Sequence, residues 1–172
     1  MANTYTLISS NVLTSSATTV TFSSIPATYT DLVVRVSARG TTSATSVTTT
    51  YRLNGDTGST YSYRRLSGNG TAASSVGDSN NIFLYIASGI PAATATADTF
   101  GSLEVYIPSY TASANKPMSV FSVQENNTTA AQINAIAHLW RDTAAITSIE
   151  FLLNAGDFAS GSSFYLYGVK NS

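Results

Sequence analysis

Ile149-Glu150-Phe151-Leu152-Leu153 and Phe164-Tyr165-Leu166-Tyr167-Gly168-Val169, joined by the Gly- and Ser-rich link from Asn154 to Ser163, decide how this chain folds. Each run is aromatic and aliphatic, of strand length, and bounded by residues that break regular structure. A segment this apolar near a terminus would be an aggregation hazard if it frayed. The two runs are therefore expected to form an inner strand pair that closes a sheet.

The same short segments recur upstream. Thr4 to Ser9 and Thr18 to Ser24 read as strands, the second with Val20 and Phe22 on one face and ended by Pro26. Asp31 to Arg39 sets Leu32, Val34 and Val36 opposite Val33, Arg35 and Ser37. Val47 to Leu53 alternates in the same way. Asn54-Gly55 after it is a strong hairpin signal, with Thr60 to Leu66 as the expected partner strand. Ser67 to Asn80 reads as a Gly/Ser/Ala-rich loop containing Asn69-Gly70. Asn81 to Ala87 reads as a strand and Pro91 to Asp98 as a loop. Phe100 to Ile107 and Met118 to Gln124 are strands, and Glu125-Asn126-Asn127-Thr128 is a turn. Ala130 to Trp140 fits a helical stripe or an alternating strand, and is read as a strand because its neighbours are strands. About ten strands without a helix require face-to-face sheets or a closed barrel. The expected fold is all-β: one two-sheet antiparallel β-sandwich over residues 1–172, jelly-roll-like.

Composition narrows the function classes. The chain has 172 residues, no cysteine and only 10% charged residues, with Ser, Thr, Ala and Asn in their place. At this length roughly 70% of the unfolded surface can be buried, so no disulfide is needed. The apolar share of 43% and the ten tyrosines argue against disorder. A net charge of −1 argues against nucleic-acid binding. No apolar run is long enough to span a membrane as a helix. Met1 to Tyr5 shows neither a basic nor an apolar signal region.

Reactive constellations are thin. His138, with Asp142 four residues on, permits a Ser-His-Asp arrangement on paper, but no Gly-x-Ser-x-Gly elbow accompanies it. Glycoside hydrolysis needs paired carboxylates, and Glu104, Glu125 and Glu150 read more simply as outward residues of alternating strands. The Cys and His clusters that zinc wants are absent, and Asp56, Asp78, Asp98 and Asp157 are scattered singly. No catalytic residue, cofactor or metal is expected. The Asn69-Gly70-Thr71 and Asn126-Asn127-Thr128 sequons read as chance. Tyr61-Ser62-Tyr63-Arg64-Arg65 stands above this background, with Tyr51 and Arg52 across the expected hairpin and Trp140-Arg141 as a lesser candidate. Tyr, Trp and Arg carry much of the energy of protein interfaces. Tyr51, Arg52, Tyr61, Tyr63, Arg64, Arg65, Trp140 and Arg141 are thus the expected subunit or ligand surface.

Three stretches carry a resemblance. They are Tyr5-Thr6-Leu7-Ile8 leading to Ser23-Ser24-Ile25-Pro26 and Tyr29-Thr30-Asp31-Leu32; Arg52-Leu53-Asn54-Gly55-Asp56 running into Tyr61-Ser62; and Phe164-Tyr165-Leu166-Tyr167-Gly168-Val169-Lys170. Through them the chain resembles small jelly-roll β-sandwich structural proteins of tailed bacteriophage virions, as in aquatic and cyanobacterial phages. The resemblance implies a non-enzymatic capsid decoration or cement subunit, made in the host cytoplasm and placed on the virion surface. Its implied partners are capsid or other virion proteins and further copies of itself, as a trimer. An adhesin at a tail fibre, binding a receptor or glycan through Tyr61, Tyr63 or Trp140, is the alternative. With no stem before the first strand, attachment through a face of the sandwich is expected.

Overall fold

The computed structural model describes residues 4–125 and 131–170, residues 87 and 88 by their backbone alone. Its strands are β1 (Tyr5–Val12), β2 (Thr19–Phe22), β3 (Asp31–Ala38), β4 (Ser46–Leu53), β5 (Tyr61–Gly68), β6 (Ala73–Asn81), β7 (Leu84–Pro91), β8 (Gly101–Ile107), β9 (Lys116–Gln124), β10 (Gln132–Trp140), β11 (Ile149–Leu153) and β12 (Ser163–Val169). An eight-stranded sheet in the order β1-β12-β3-β8-β9-β10-β5-β6 packs on a four-stranded sheet, β2-β11-β4-β7. All pairings are antiparallel. Only β5–β6, β8–β9 and β9–β10 are connected as hairpins; every other connection changes sheets. Such alternation between two sheets is the jelly-roll manner of wrapping a core.

Alternation predicts the core well. Leu32, Val34 and Val36 of β3, Leu103, Val105 and Ile107 of β8, and Phe164 and Leu166 of β12 point inward from the large sheet. Val20, Phe22, Tyr51, Leu53, Ile149 and Phe151 answer from the small one. Burying each large side chain contributes roughly 1.5–3 kcal/mol.

Four expectations about connectivity fail or fall outside. β11 and β12 are inner strands, as expected, but they do not pair. β11 lies between β2 and β4, and β12 lies between β1 and β3, in opposite sheets. Asn54-Gly55 makes a turn with positive φ at both residues, yet it does not join a hairpin. The Asn54 amide oxygen accepts from the Thr147 and Ser148 backbone at 2.8 and 3.1 Å, while its nitrogen donates to the Ala145 carbonyl at 2.8 Å. These bonds tie the end of β4 to the approach to β11, and β5 leaves for the other sheet. Residues 67–80 are no loop: β5 continues to Gly68, and β6 follows a tight turn at Asn69-Gly70. β6 is exposed on both faces over Ala73 to Asn80, so it has no apolar alternation to read. The turn expected at Glu125 to Thr128 extends beyond the described residues.

Candidate functional site

The register of the large sheet arranges its outward side chains in continuous rows. One row runs Ser10, Tyr165, Arg35, Glu104, Phe121, Ala135, Leu66 and Ser75 from β1 to β6. Beside it lies Leu7, Tyr167, Val33, Tyr106, Ser119, Ala137, Arg64 and Gly77, and on its other side Val12, Ser163, Ser37, Ser102, Val123, Ile133, Gly68 and Ala73. The small sheet packs on the opposite side, so among the described residues nothing covers this face.

Its two halves differ in chemistry. Over β9, β10 and β5 it is apolar: Leu66 is 59%, Phe121 50% and Ile133 46% exposed. An open groove of about 500 Å³ runs over Ala135 and Ala137 between Phe121 and Leu66, with Glu104 on its β8 side and Arg64 on its β5 side. Arg64 lies flat across β6, where Gly77 makes room; a Cβ there would stand 2.3 Å from the Arg64 Cδ. Its guanidinium donates to the carbonyls of Tyr63 at 2.8 Å and Asp78 at 3.3 Å.

Over β8, β3 and β12 the face is polar and aromatic. Arg35 and Glu104 form an ion pair at 3.0 Å, both side chains about half exposed. Such an exposed pair contributes less than about 1 kcal/mol to stability and keeps its polar groups available to a partner. Ser37, Ser102, Ser163 and Tyr165 line the same depression of about 340 Å³. Val33, also in an outward row, is buried outside the main core, with Tyr106 and Tyr167 as its register neighbours. Tyr106 is anchored by donating to the Asp31 carboxylate at 2.8 Å, a bond that raises its phenol pKa.

The eight residues expected to make one surface do not share one. Tyr51, Tyr61 and Trp140 are buried in the core, and this corrects their assignment. Their polar atoms are satisfied inside. The Tyr61 hydroxyl accepts from the Leu53 N–H at 3.1 Å and donates to the Leu53 or Asp56 carbonyl, 3.3 and 3.2 Å away. Burial and the nearby Asp56 charge outweigh the Leu53 bond and push this phenol up to about 12. Trp140 donates to the Asp56 carboxylate at 2.7 Å. Burial opposes ionisation of Asp56, but bonds from Thr60, Trp140 and Gly58 outweigh it and hold the carboxyl below its ordinary value. Tyr63 is half-buried and packs against the core. Arg52 lies on the outer face of the small sheet, 3.8 Å from Glu150 and 3.9 Å above the Phe83 ring. Arg141 is exposed and braces Ser59 and Asn80, and Arg65 is half-buried on the inward side of β5. Of the eight, Arg64 and its neighbour Arg65 border the groove, and Arg64 is the one whose side chain stands on the outward face.

The reactive candidates are also placed. His138 is buried, its Nδ1 accepting from the Tyr51 hydroxyl at 2.7 Å and its Nε2 donating to the Tyr85 carbonyl at 3.0 Å. Both ring nitrogens are thereby occupied within the protein. Burial pulls its pKa down to about 4, against the Tyr85 bond, so the ring is neutral near pH 7. Glu104 and Glu150 lie on the outer faces of opposite sheets and share no cleft. Among the described residues no three His, Asp or Glu side chains gather as metal ligands would. Lys116 is buried beside Trp140 and donates to the Ala112 and Ala114 carbonyls at 2.7 and 2.5 Å. Burial lowers its pKa, with Asp142 pulling the other way.

Phe121, Leu66 and Ile133 escaped the sequence-based choice of site. The available signal was that β9 is apolar on both faces, with Val120 on one and Phe121 and Val123 on the other, in a sheet covered on one side only.

No family model and no curated protein matches the sequence. Among solved structures the chain is similar to Caenorhabditis elegans galectin LEC-6, at 10% identity over 98% of this chain and 96% of that one, with a TM-score of 0.37. It is also similar to scytalido-glutamic peptidase with a transition state analog inhibitor, at 12% identity over 93% of this chain and 66% of that one, with a TM-score of 0.25. These likenesses are too distant to bear on function.

Proposed function

We propose that this chain is a non-enzymatic structural subunit of a tailed-phage particle, a decoration or cement protein on the capsid surface that works by adhering to its neighbours. The observation that carries the reading is the uncovered apolar half of the large sheet's outer face, where Leu66, Phe121 and Ile133 stand about half exposed. Apolar surface left open on a folded chain marks a contact site. The virion setting rests on the three stretches that resemble phage structural proteins. Low charge and the absence of cysteine suit a subunit that works outside a cell without regard to redox state. Mechanically, binding that only the assembled shell offers raises the free energy needed to separate its parts. The test is co-sedimentation with purified particles. Wild type is expected to pellet with them and to raise their resistance to heat, and Phe121→Ser to do neither. Wild-type protein that never binds particles sinks the reading.

The polar half of the face favours a second reading, an adhesin for a receptor or glycan. Arg35, Glu104 and Tyr165 sit side by side in one row, offering donors, acceptors and a ring in a shallow depression. This moves the alternative away from Tyr61 and Trp140, whose rings are buried. Glycan-array binding that Arg35→Ala abolishes would support it; an array without signal removes it.

A further inference from the structure

We propose that the apolar half of the outer face is a two-fold contact between two copies of this chain, stacked sheet against sheet. The inference deepens the proposed function by naming the occupant of the face as a second copy.

Self-complementarity follows from the register. The order β8-β9-β10-β5 is symmetric about the line between β9 and β10. Place a two-fold axis along that line, in the plane of contact. β9 then lies over β10 of the second copy, and β8 over its β5. In the central row the Phe121 ring falls opposite Ala135, and by symmetry Ala135 falls opposite the other Phe121. A ring above a methyl group, made twice, is the large-on-small match that lets stacked sheets interdigitate at a spacing of about 10 Å. In the flanking rows Val123 meets Ile133 and Ser119 meets Ala137. The groove over Ala135 is thus a socket for the Phe121 of the other copy.

Charge fits the same axis. With strands about 4.8 Å apart, β8 and β5 lie about 7 Å on either side of it. Glu104 therefore comes down over Leu66 of the second copy, one row from Arg64, whose guanidinium lies one strand further on, over Gly77. Both ends of the contact carry this opposite-charge meeting. An axis running across the strands, along the central row, would instead stack Phe121 on Phe121 and Glu104 on Glu104. Steric and electrostatic terms therefore select the same arrangement.

A two-fold contact is isologous, whereas a closed trimer needs two different complementary patches. This face is complementary to itself, so a dimer replaces the trimer expected from the resemblance. Four strands by three rows span about 400 Å², below the roughly 800 Å² per partner of a standard interface. Association is therefore expected to be reversible and concentration-dependent, and reinforced when copies are held side by side on a particle.

The experiment is sedimentation velocity over a concentration series with wild type, Glu104→Arg, Arg64→Glu and an equimolar mixture of the two variants. Wild type is expected to dimerise reversibly. Each variant alone sets like charges together at both ends and should associate about tenfold or more weakly. In the mixture every charged meeting is opposite again, and dimer returns; a folding defect would not be cured by mixing. Phe121→Ser should be monomeric with an unchanged melting temperature. A wild type that stays monomeric throughout, or a mixture no better than its components, overturns the proposal. Dimer without particle binding would leave this inference standing and sink the virion reading; particle binding by a monomer would do the reverse.

Discussion

Phe151 and Phe164 meet across the sandwich with ring centroids 5.8 Å apart, although each belongs to a different sheet. Both are fully buried, and each has a second ring beside it: Tyr51 stacks on Phe151 at 5.5 Å and Phe158 stands edge-on to Phe164 at 5.0 Å. The two runs that looked like one strand pair are thus the two sides of the core. What joins them is apolar burial, not a hydrogen-bonded ladder.

Phe164→Ala should therefore cost about 3–5 kcal/mol, the range for deleting a buried ring and leaving its cavity. Urea unfolding followed by the fluorescence of Trp140 would measure it. A loss under about 1 kcal/mol would mean that this pair is not the centre of the core.

Stability should fall as pH drops from about 6.5 to about 4, the ordinary and the folded values for His138. Above this window the ring is neutral in both states and contributes no pH dependence. Within it the unfolded chain takes up a proton that the folded one refuses, so acid favours unfolding. Below it both states are protonated and the loss levels off, at about 3 kcal/mol for a shift of this size. Asp56, held below its ordinary value of 3.8, loses its own contribution only at lower pH. Denaturation at a series of pH values would show the slope, and His138→Gln should flatten it between pH 4 and 6.5. An unchanged slope in that variant would assign the effect to another group.

Gly168→Ala should destabilise by about 1–3 kcal/mol through overpacking. A Cβ at this buried position in β12 would lie 2.3 Å from the Tyr29 ring. Tyr29 is held in turn, its backbone N–H donating to the Tyr110 hydroxyl, which itself donates to the Pro26 carbonyl. Pairing Gly168→Ala with Tyr29→Ala in a double-mutant cycle should recover part of the loss. No coupling between the two would show that the ring is not what the methyl group meets.

Strands were legible because burial on one side imprints alternation, as in Leu32, Val34 and Val36 against Val33, Arg35 and Ser37. β6 shows the converse: with both faces in water, Ala73 to Asn80 carries no imprint and reads as a loop. Sheet membership was hidden because turn chemistry is local. Asn54 and Gly55 have the positive φ values that a hairpin uses, but nothing within the turn says which sheet receives the next strand. The site was hidden for a different reason. A tyrosine reads alike whether its hydroxyl meets solvent, the Leu53 backbone or His138, so Tyr51 and Tyr61 looked like surface. Phe121 and Leu66 were passed over because an apolar residue in an alternating strand does not itself tell that one face has no second layer.

The place of β12, between β1 and β3, sets an order of events during synthesis. While residues 163–169 are still inside the ribosome, β1 has no strand to pair with and β3 lacks one of its neighbours. The large sheet therefore closes only once this segment emerges, and until then a nascent chain must keep its sticky upstream strands apart by other means.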